Sequence, residues 1–137
     1  MSDLRSGDLQ PLEPNSVAYF LAEKGPLAEQ MDGYESRPSQ QTMTAHVAMA
    51  LNRGDAICIE APTGVGKSLA YLLPAALWAR NNGRRVVIAT RTINLQRQLI
   101  DKDLPKLVDL LNHDDPDGDA IRYVELVGRS NYVCYQR

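Results

Sequence analysis

Ala61-Pro62-Thr63-Gly64-Val65-Gly66-Lys67-Ser68 is the stretch that decides how this chain folds. An apolar run, Ala56-Ile57-Cys58-Ile59, precedes it, and a helix-forming run from Leu69 to Ala79 follows. A strand, a glycine-bearing loop ending in Gly-Lys-Ser, and a helix together make a phosphate cradle. Loop N–H groups converge on the phosphates, and the helix dipole adds partial positive charge where the helix begins. Lys67 is placed to reach the β- and γ-phosphates of a nucleoside triphosphate, and Ser68 to hold Mg2+ through its hydroxyl. Gly64 and Gly66 let the main chain curl around Val65, close to the ligand, with no Cβ in the way. Thr63 offers a hydroxyl either to the phosphates or to the helix as a cap.

The rest of the composition sets bounds on the chemistry. The chain has 137 residues, a formal net charge of −2 and 44% hydrophobic residues, enough for one modest globular domain. Because it is not basic overall, any nucleic-acid contact has to come from a local patch. The N-terminus, Met1-Ser2-Asp3-Leu4-Arg5, lacks a basic region followed by an apolar core, and the run from Leu69 to Ala79 is too short for a bilayer and carries Pro74. The expectation is a cytoplasmic monomer with no membrane contact. Two cysteines, Cys58 and Cys134, make no disulfide framework. Cys58, inside an apolar strand, is expected to be a buried small hydrophobe.

Residues 1–14 are polar, contain prolines and show no period, which predicts a loose arm. Asn15 or Ser16 can cap a short helix ending near Gly25-Pro26, and a second short helix runs from Leu27 to Met31. Met43, Val47, Ala50 and Leu51 recur at helical spacing between Arg37 and Asn52, a helix closed by Gly54. The α/β section begins after it. Asp55–Ile59 and Arg85–Ala89 are predicted strands around a helix from Lys67 to Arg80, a spacing that fits a right-handed β-α-β crossover in a parallel sheet. Helical stretches at Ile93–Ile100 and Leu104–Leu111, an acidic turn at 114–119 and a third strand at Ile121–Val127 complete the chain. Were the segment around that turn a calcium loop, His113 and Val124 would stand where it needs carboxylates, so a solvated turn is expected.

The loop with its flanks, Ile59-Glu60-Ala61 before and Ala70-Tyr71-Leu72-Leu73-Pro74 after, resembles the first helicase motif of superfamily 2 enzymes. Ala61 in place of the usual first glycine favours the A-x-T-G-x-G-K-S form seen in helicases over a kinase or small GTPase. More narrowly, the chain resembles the iron–sulfur branch, the DinG-like and xeroderma-pigmentosum-group-D-like helicases. Gly25-Pro26-Leu27-Ala28 and Tyr34-Glu35-Ser36-Arg37-Pro38-Ser39-Gln40 are similar to that branch upstream of the loop. Val87-Ile88-Ala89-Thr90-Arg91-Thr92, with Leu95 and Gln98, resembles motif Ia, and Gly128-Arg129-Ser130-Asn131-Tyr132-Val133-Cys134 the segment with the first cluster cysteine.

That resemblance implies a RecA-like fold, a parallel sheet with flanking helices, spread over residues 15–137 as the incomplete first lobe of an ATP-dependent DNA helicase. It implies Lys67 and Ser68 as catalytic residues, residues Thr63 to Ser68 on the phosphates and Mg2+, and Arg37 and Gln40 near adenine. Thr90, Arg91 and Thr92 would hold the backbone of single-stranded DNA; their alternative is a helix cap with a surface arginine. Cys134 would be one ligand of a 4Fe–4S cluster in a longer parent, since one thiolate cannot hold a cluster that wants four. The acidic D-E-A-H motif, three further cluster cysteines, the second lobe and its arginine finger are not among these residues, so the chain is expected to be the N-terminal part of a helicase and inactive in unwinding by itself. Other readings stay open: a P-loop kinase or other small nucleotide-binding enzyme, a nuclease-type relative that keeps the lobe for binding, or a non-catalytic nucleotide- or nucleic-acid-binding module.

Overall fold

The computed structural model describes residues 9–128 and residue 131. Helix α1 (Pro14–Tyr19) starts with proline at a position where no N–H is needed. Its cap is Glu13, not Asn15 or Ser16: the Glu13 carboxylate accepts from the Ser16 N–H. Helix α2 (Pro26–Gln30) follows a tight reversal in which a Cβ on Gly25 would lie 2.0 Å from the Tyr19 carbonyl oxygen. No other residue fits there.

Helices α3 (Pro38–Arg53) and α4 (Lys67–Asn82) are the two long elements, each of 16 residues. Glycines in the left-handed conformation end both, Gly54 after α3 and Gly83 after α4. Pro74 lies within α4 and is fully buried, so its apolar ring adds to the core where its missing N–H removes a backbone bond. Helix α5 (Ile93–Gln98) leads through a wide turn at Leu99–Asp103 into α6 (Leu104–Asp114). Pro105 explains that turn. It cannot donate to the carbonyl one α-turn back, and the Leu104 N–H reaches to the Leu99 oxygen instead.

The core is helical. α3 packs along α4 and against α1, while α6 packs against α4 and α2. Leu21, Ala48, Leu72, Leu73, Leu77, Leu107, Leu110 and Leu111 close the interior. Arg80 of α4 pairs with Asp115 at 3.5 Å and ties down the acidic segment, which turns at Gly118 through a Gly118 N–H to Asp115 oxygen bond of 3.2 Å.

The structure bears on three expectations. The stretches 55–59, 85–89 and 121–127 are extended, but the described residues contain no hydrogen-bonded strand. An apolar run becomes a strand only when a neighbour supplies ladder bonds, and no described segment does so. Their side chains therefore stay open to solvent: Val87 is 86%, Val124 82% and Leu126 75% exposed. Cys58, expected to be buried, is exposed for the same reason. The arm is not loose in its described part. Leu12 is buried in the core, and the main chain of Gln10 and Leu12 is hydrogen-bonded to Asn82 and Asn52.

The Glu13 cap carries a pH dependence. Hydrogen bonds from Ser16, then Asn15, hold its carboxyl below the usual glutamate range. A depressed folded-state value stabilises above the unfolded value and loses that contribution as pH falls through the folded one. Amide protection at Ser16 and Val17, taken against the intrinsic exchange rate at each pH, is expected to fall on acidification in the native chain, and Glu13→Gln should flatten that profile. Equal pH profiles would remove Glu13 from the cap.

Candidate functional site

The phosphate loop has the backbone that its glycines allow. Gly64 (φ 85°) and Gly66 (φ 74°) are both left-handed, a conformation costing other residues roughly 1–2 kcal/mol. Gly66 is the N-cap of α4 and no side chain caps that end. The first intrahelical bond runs from Ala70 N–H to Gly66 oxygen at 3.3 Å. The opening amides of a long helix thus face the loop with the positive end of its dipole. Thr63 is exposed and takes no part in capping α4.

Lys67 turns back over the loop. Its Nζ donates to the Ala61 oxygen at 2.8 Å and the Pro62 oxygen at 3.1 Å. The ammonium is exposed and held by neutral carbonyls, so an anion at the helix start competes with weak partners. Ser68 sits half-buried in the first turn of α4, one helical turn from Tyr71. Burial raises the Tyr71 phenol above its ordinary value; the Ser68 hydroxyl opposes this and the Asp103 carboxylate adds to it. Asp103 in turn accepts from Gln98 Nε2 at 3.1 Å, joining the start of α4 to the end of α5.

Arg37 and Gln40 reach the loop from the start of α3. Arg37 Nη1 donates to the Gly64 oxygen and Nη2 pairs with Glu35 at 3.1 Å. Gln40 is 3% exposed; its Nε2 donates to the Gly66 oxygen at 2.9 Å, and its Oε1 accepts from the Tyr34 hydroxyl at 3.2 Å. Both residues thus hold the carbonyl side of the loop, leaving its N–H side for a ligand. Sequence reasoning read Gln40 for its paired donor and acceptor but missed what engages them. Tyr34 shares its proton with the Leu21 oxygen at 2.9 Å, which also accepts from Ser36 at 3.0 Å. Burial pushes the Tyr34 phenol up, against the pull of Arg37, so at neutral pH it keeps the proton that orients Gln40. Nothing local in the sequence marks Tyr34 for that task.

Thr90, Arg91 and Thr92 lie together at the start of α5. Thr92 Oγ1 caps α5 by accepting from the Leu95 N–H at 3.3 Å, and the Thr90 hydroxyl donates to the Thr92 oxygen at 3.3 Å. Arg91 is exposed beside them. Gln96 Nε2 binds the Leu126 oxygen at 2.7 Å and brings the third extended segment to this helix. Cys134 lies outside the described residues. Among those described, no group of three or more His, Cys, Asp or Glu side chains could hold a metal ion, and no helix is long and apolar enough to cross a membrane. With two cysteines in the whole chain, one of them on the extended lead into the phosphate loop, the residues present do not fit a four-thiolate cluster.

The DEAD/DEAH box helicase profile matches residues 37–112, from Arg37 through the loop to α6. The chain is 43% identical over 122 residues to the "ATP-dependent helicase DinG" of Mycobacterium tuberculosis, covering 89% of this chain and 18% of that protein. It is 43% identical over 108 residues to the "3'-5' exonuclease DinG" of Bacillus subtilis, covering 79% of this chain and 11% of that protein. It is 34% identical over 123 residues to the "ATP-dependent DNA helicase YoaA" of Haemophilus influenzae, covering 90% of this chain and 18% of that protein. The chain therefore spans less than a fifth of the length of these curated relatives. No solved structure matches it. A profile match across more than half of the residues, spanning the loop that Gly64, Gly66, Lys67 and Ser68 build, establishes that this chain belongs to the DEAD/DEAH box helicase family.

Proposed function

We propose that the chain is the nucleotide-binding part of an ATP-dependent DNA helicase, clasping Mg·ATP at the start of α4 and single-stranded DNA at the start of α5. The observation that carries this reading is the uncapped N-terminus of α4, framed by two left-handed glycines, with the Lys67 ammonium resting on the Ala61 and Pro62 carbonyls. The amides of Gly64 to Ser68 bind phosphate oxygens, Lys67 swings from the carbonyls to the β- and γ-phosphates, and Thr63 adds a hydroxyl. Ser68 holds Mg2+, which when bound neutralises charge on the phosphate oxygens. Arg37 and Gln40 stand on the adenine side and brace the loop from behind.

In the complete lobe, the extended segments 55–59, 85–89 and 121–127 become strands of a RecA-like parallel sheet once neighbours cover them. Their exposed apolar side chains favour this, since such a surface is unstable in water. Coupling of hydrolysis to movement then belongs to a longer, cytoplasmic, monomeric protein of which residues 15–137 form the N-terminal part of the first lobe. Any 4Fe–4S cluster draws Cys134 together with cysteines that this chain does not contain.

Thr90, Arg91 and Thr92 present hydroxyls, an N–H-rich turn and a guanidinium to the DNA backbone, contacts that position without reading bases. A salt titration of oligonucleotide binding tests the reading. Arg91→Ala should weaken binding equally for unrelated sequences and reduce the salt slope by about 0.7, the contribution of one phosphate on a single strand. An unchanged slope, or transfer of phosphate to a small acceptor with no response to DNA, would favour a P-loop kinase instead.

A further inference from the structure

α3 and α4 run side by side in the same direction. Their first residues meet at the phosphate loop through the Gln40 to Gly66 bond, and their last residues meet at the arm. Each is 16 residues, so the two meeting points are about 24 Å apart. At the far end, Asn52 Oδ1 accepts from the Leu12 N–H at 2.8 Å while its Nδ2 donates to the Leu12 oxygen at 2.7 Å. Asn82 treats Gln10 the same way, at 2.6 and 3.1 Å, and spends its second Nδ2 hydrogen on the Trp78 oxygen at 2.9 Å. Two side-chain amides thus imitate a neighbouring strand at alternate residues of an extended segment. Pro11 needs no N–H partner, and Pro11 and Pro14 restrict Gln10 and Glu13 to extended backbone, so little entropy is lost on docking. The Leu12 side chain is buried in the core. One end of the arm grips α3 and the other grips α4.

We propose that Asn52 and Asn82 are remote positioning residues of the nucleotide site: by clamping the arm across both helix ends they fix how α3 sits along α4, and through it how Arg37 and Gln40 hold the Gly64 and Gly66 carbonyls. The inference rests on the nucleotide reading of the loop. It predicts that the chain senses, at its ligand site, an arm clamped at the opposite ends of α3 and α4.

The test uses the full chain and the variants Asn52→Ala, Asn82→Ala, their combination, and Asn52→Asp with Asn82→Asp. The aspartates keep the acceptor for the arm N–H groups but set a carboxylate oxygen against the Leu12 and Gln10 carbonyls, so they break the clamp through its donors, and each single alanine leaves the other half of the clamp in place should the pair fail to fold. The expected result is about fivefold weaker binding of a fluorescent ATP analogue with Mg2+, at a temperature where circular dichroism is unchanged. Loop amides from Gly64 to Lys67 should exchange faster without nucleotide. In a Gln40→Ala background the clamp variants should add less than they cost in the native chain, because one of the two braces they act through is gone. A purely structural strap would instead lower thermal stability with unaltered affinity, or give losses that add in full to Gln40→Ala, and either result overturns the proposal. Should Lys67→Ala bind nucleotide as well as the native chain, the nucleotide reading itself fails; exchange at Gly64 and Gly66 then still reports whether the clamp reaches the loop.

Discussion

Lys67→Ala is expected to weaken binding of a fluorescent ATP analogue by about tenfold to a hundredfold, with thermal unfolding unchanged. The size follows from removing one ammonium from a phosphate, a charge-assisted contact worth roughly 1.5–3 kcal/mol. The separation of affinity from stability follows from the geometry. Lys67 is exposed and binds the Ala61 and Pro62 oxygens, which solvent can satisfy when the side chain is cut back. Ligand-free and ligand-bound loops therefore respond in opposite ways: the first barely notices the loss, the second loses its principal cation. A fluorescence titration together with a melting curve reads both. Equal affinity in the variant would place the nucleotide elsewhere.

Gly66→Ala is expected to damage folding and binding at once. Two costs add. A side chain at φ 74° costs roughly 1–2 kcal/mol in backbone strain. The new Cβ would also stand 2.2 Å from Gln40 Nε2, so the buried amide must leave the Gly66 oxygen and Tyr34, a further ~1–3 kcal/mol. The melting temperature should fall by roughly 10 °C or more, with nucleotide binding lost. Gly64→Ala is the internal control: its φ is 85° but nothing lies within 4 Å of the added carbon, so it should cost the strain alone. Combining Gln40→Ala with Gly66→Ala should recover part of the deficit by removing the clash. If Gly66→Ala melts where Gly64→Ala does, Gln40 does not pack behind the loop.

These variants also show which parts of the molecule its sequence makes legible. The long helices are written locally: Pro38 opens α3, Gly54 closes it, and the apolar positions between them carry a helical period. The phosphate loop is legible because its chemistry demands small residues, a lysine and a hydroxyl in one short stretch. Cap choice at α1 was less so, since Glu13, Asn15 and Ser16 all offer oxygen and Pro14 decides by starting the helix after Glu13. The apolar runs at 55–59, 85–89 and 121–127 announce strands, yet a ladder depends on neighbours that no local pattern encodes. Gln40 illustrates the same boundary inside the site. Its amide advertises a donor and an acceptor, while the partners, Gly66 and Tyr34, are set by how α3 lies against α4. The arm was furthest from view. Asn52 and Asn82 are ordinary helix-end residues, and their bonds to Leu12 and Gln10 span 40 and 72 positions of sequence.

The central claim is that the amides at the start of α4 form the phosphate seat. Amide NMR spectra of the chain titrated with an ATP analogue and Mg2+ address it residue by residue. Saturable shifts are expected at Gly64, Val65, Gly66, Lys67 and Ser68, moving together with a single affinity and vanishing in Lys67→Ala. Shifts confined to other surfaces, such as the groove between Val47, Leu51, Ile57 and Trp78 at the opposite end of α3 and α4, with the loop amides unmoved, would contradict it.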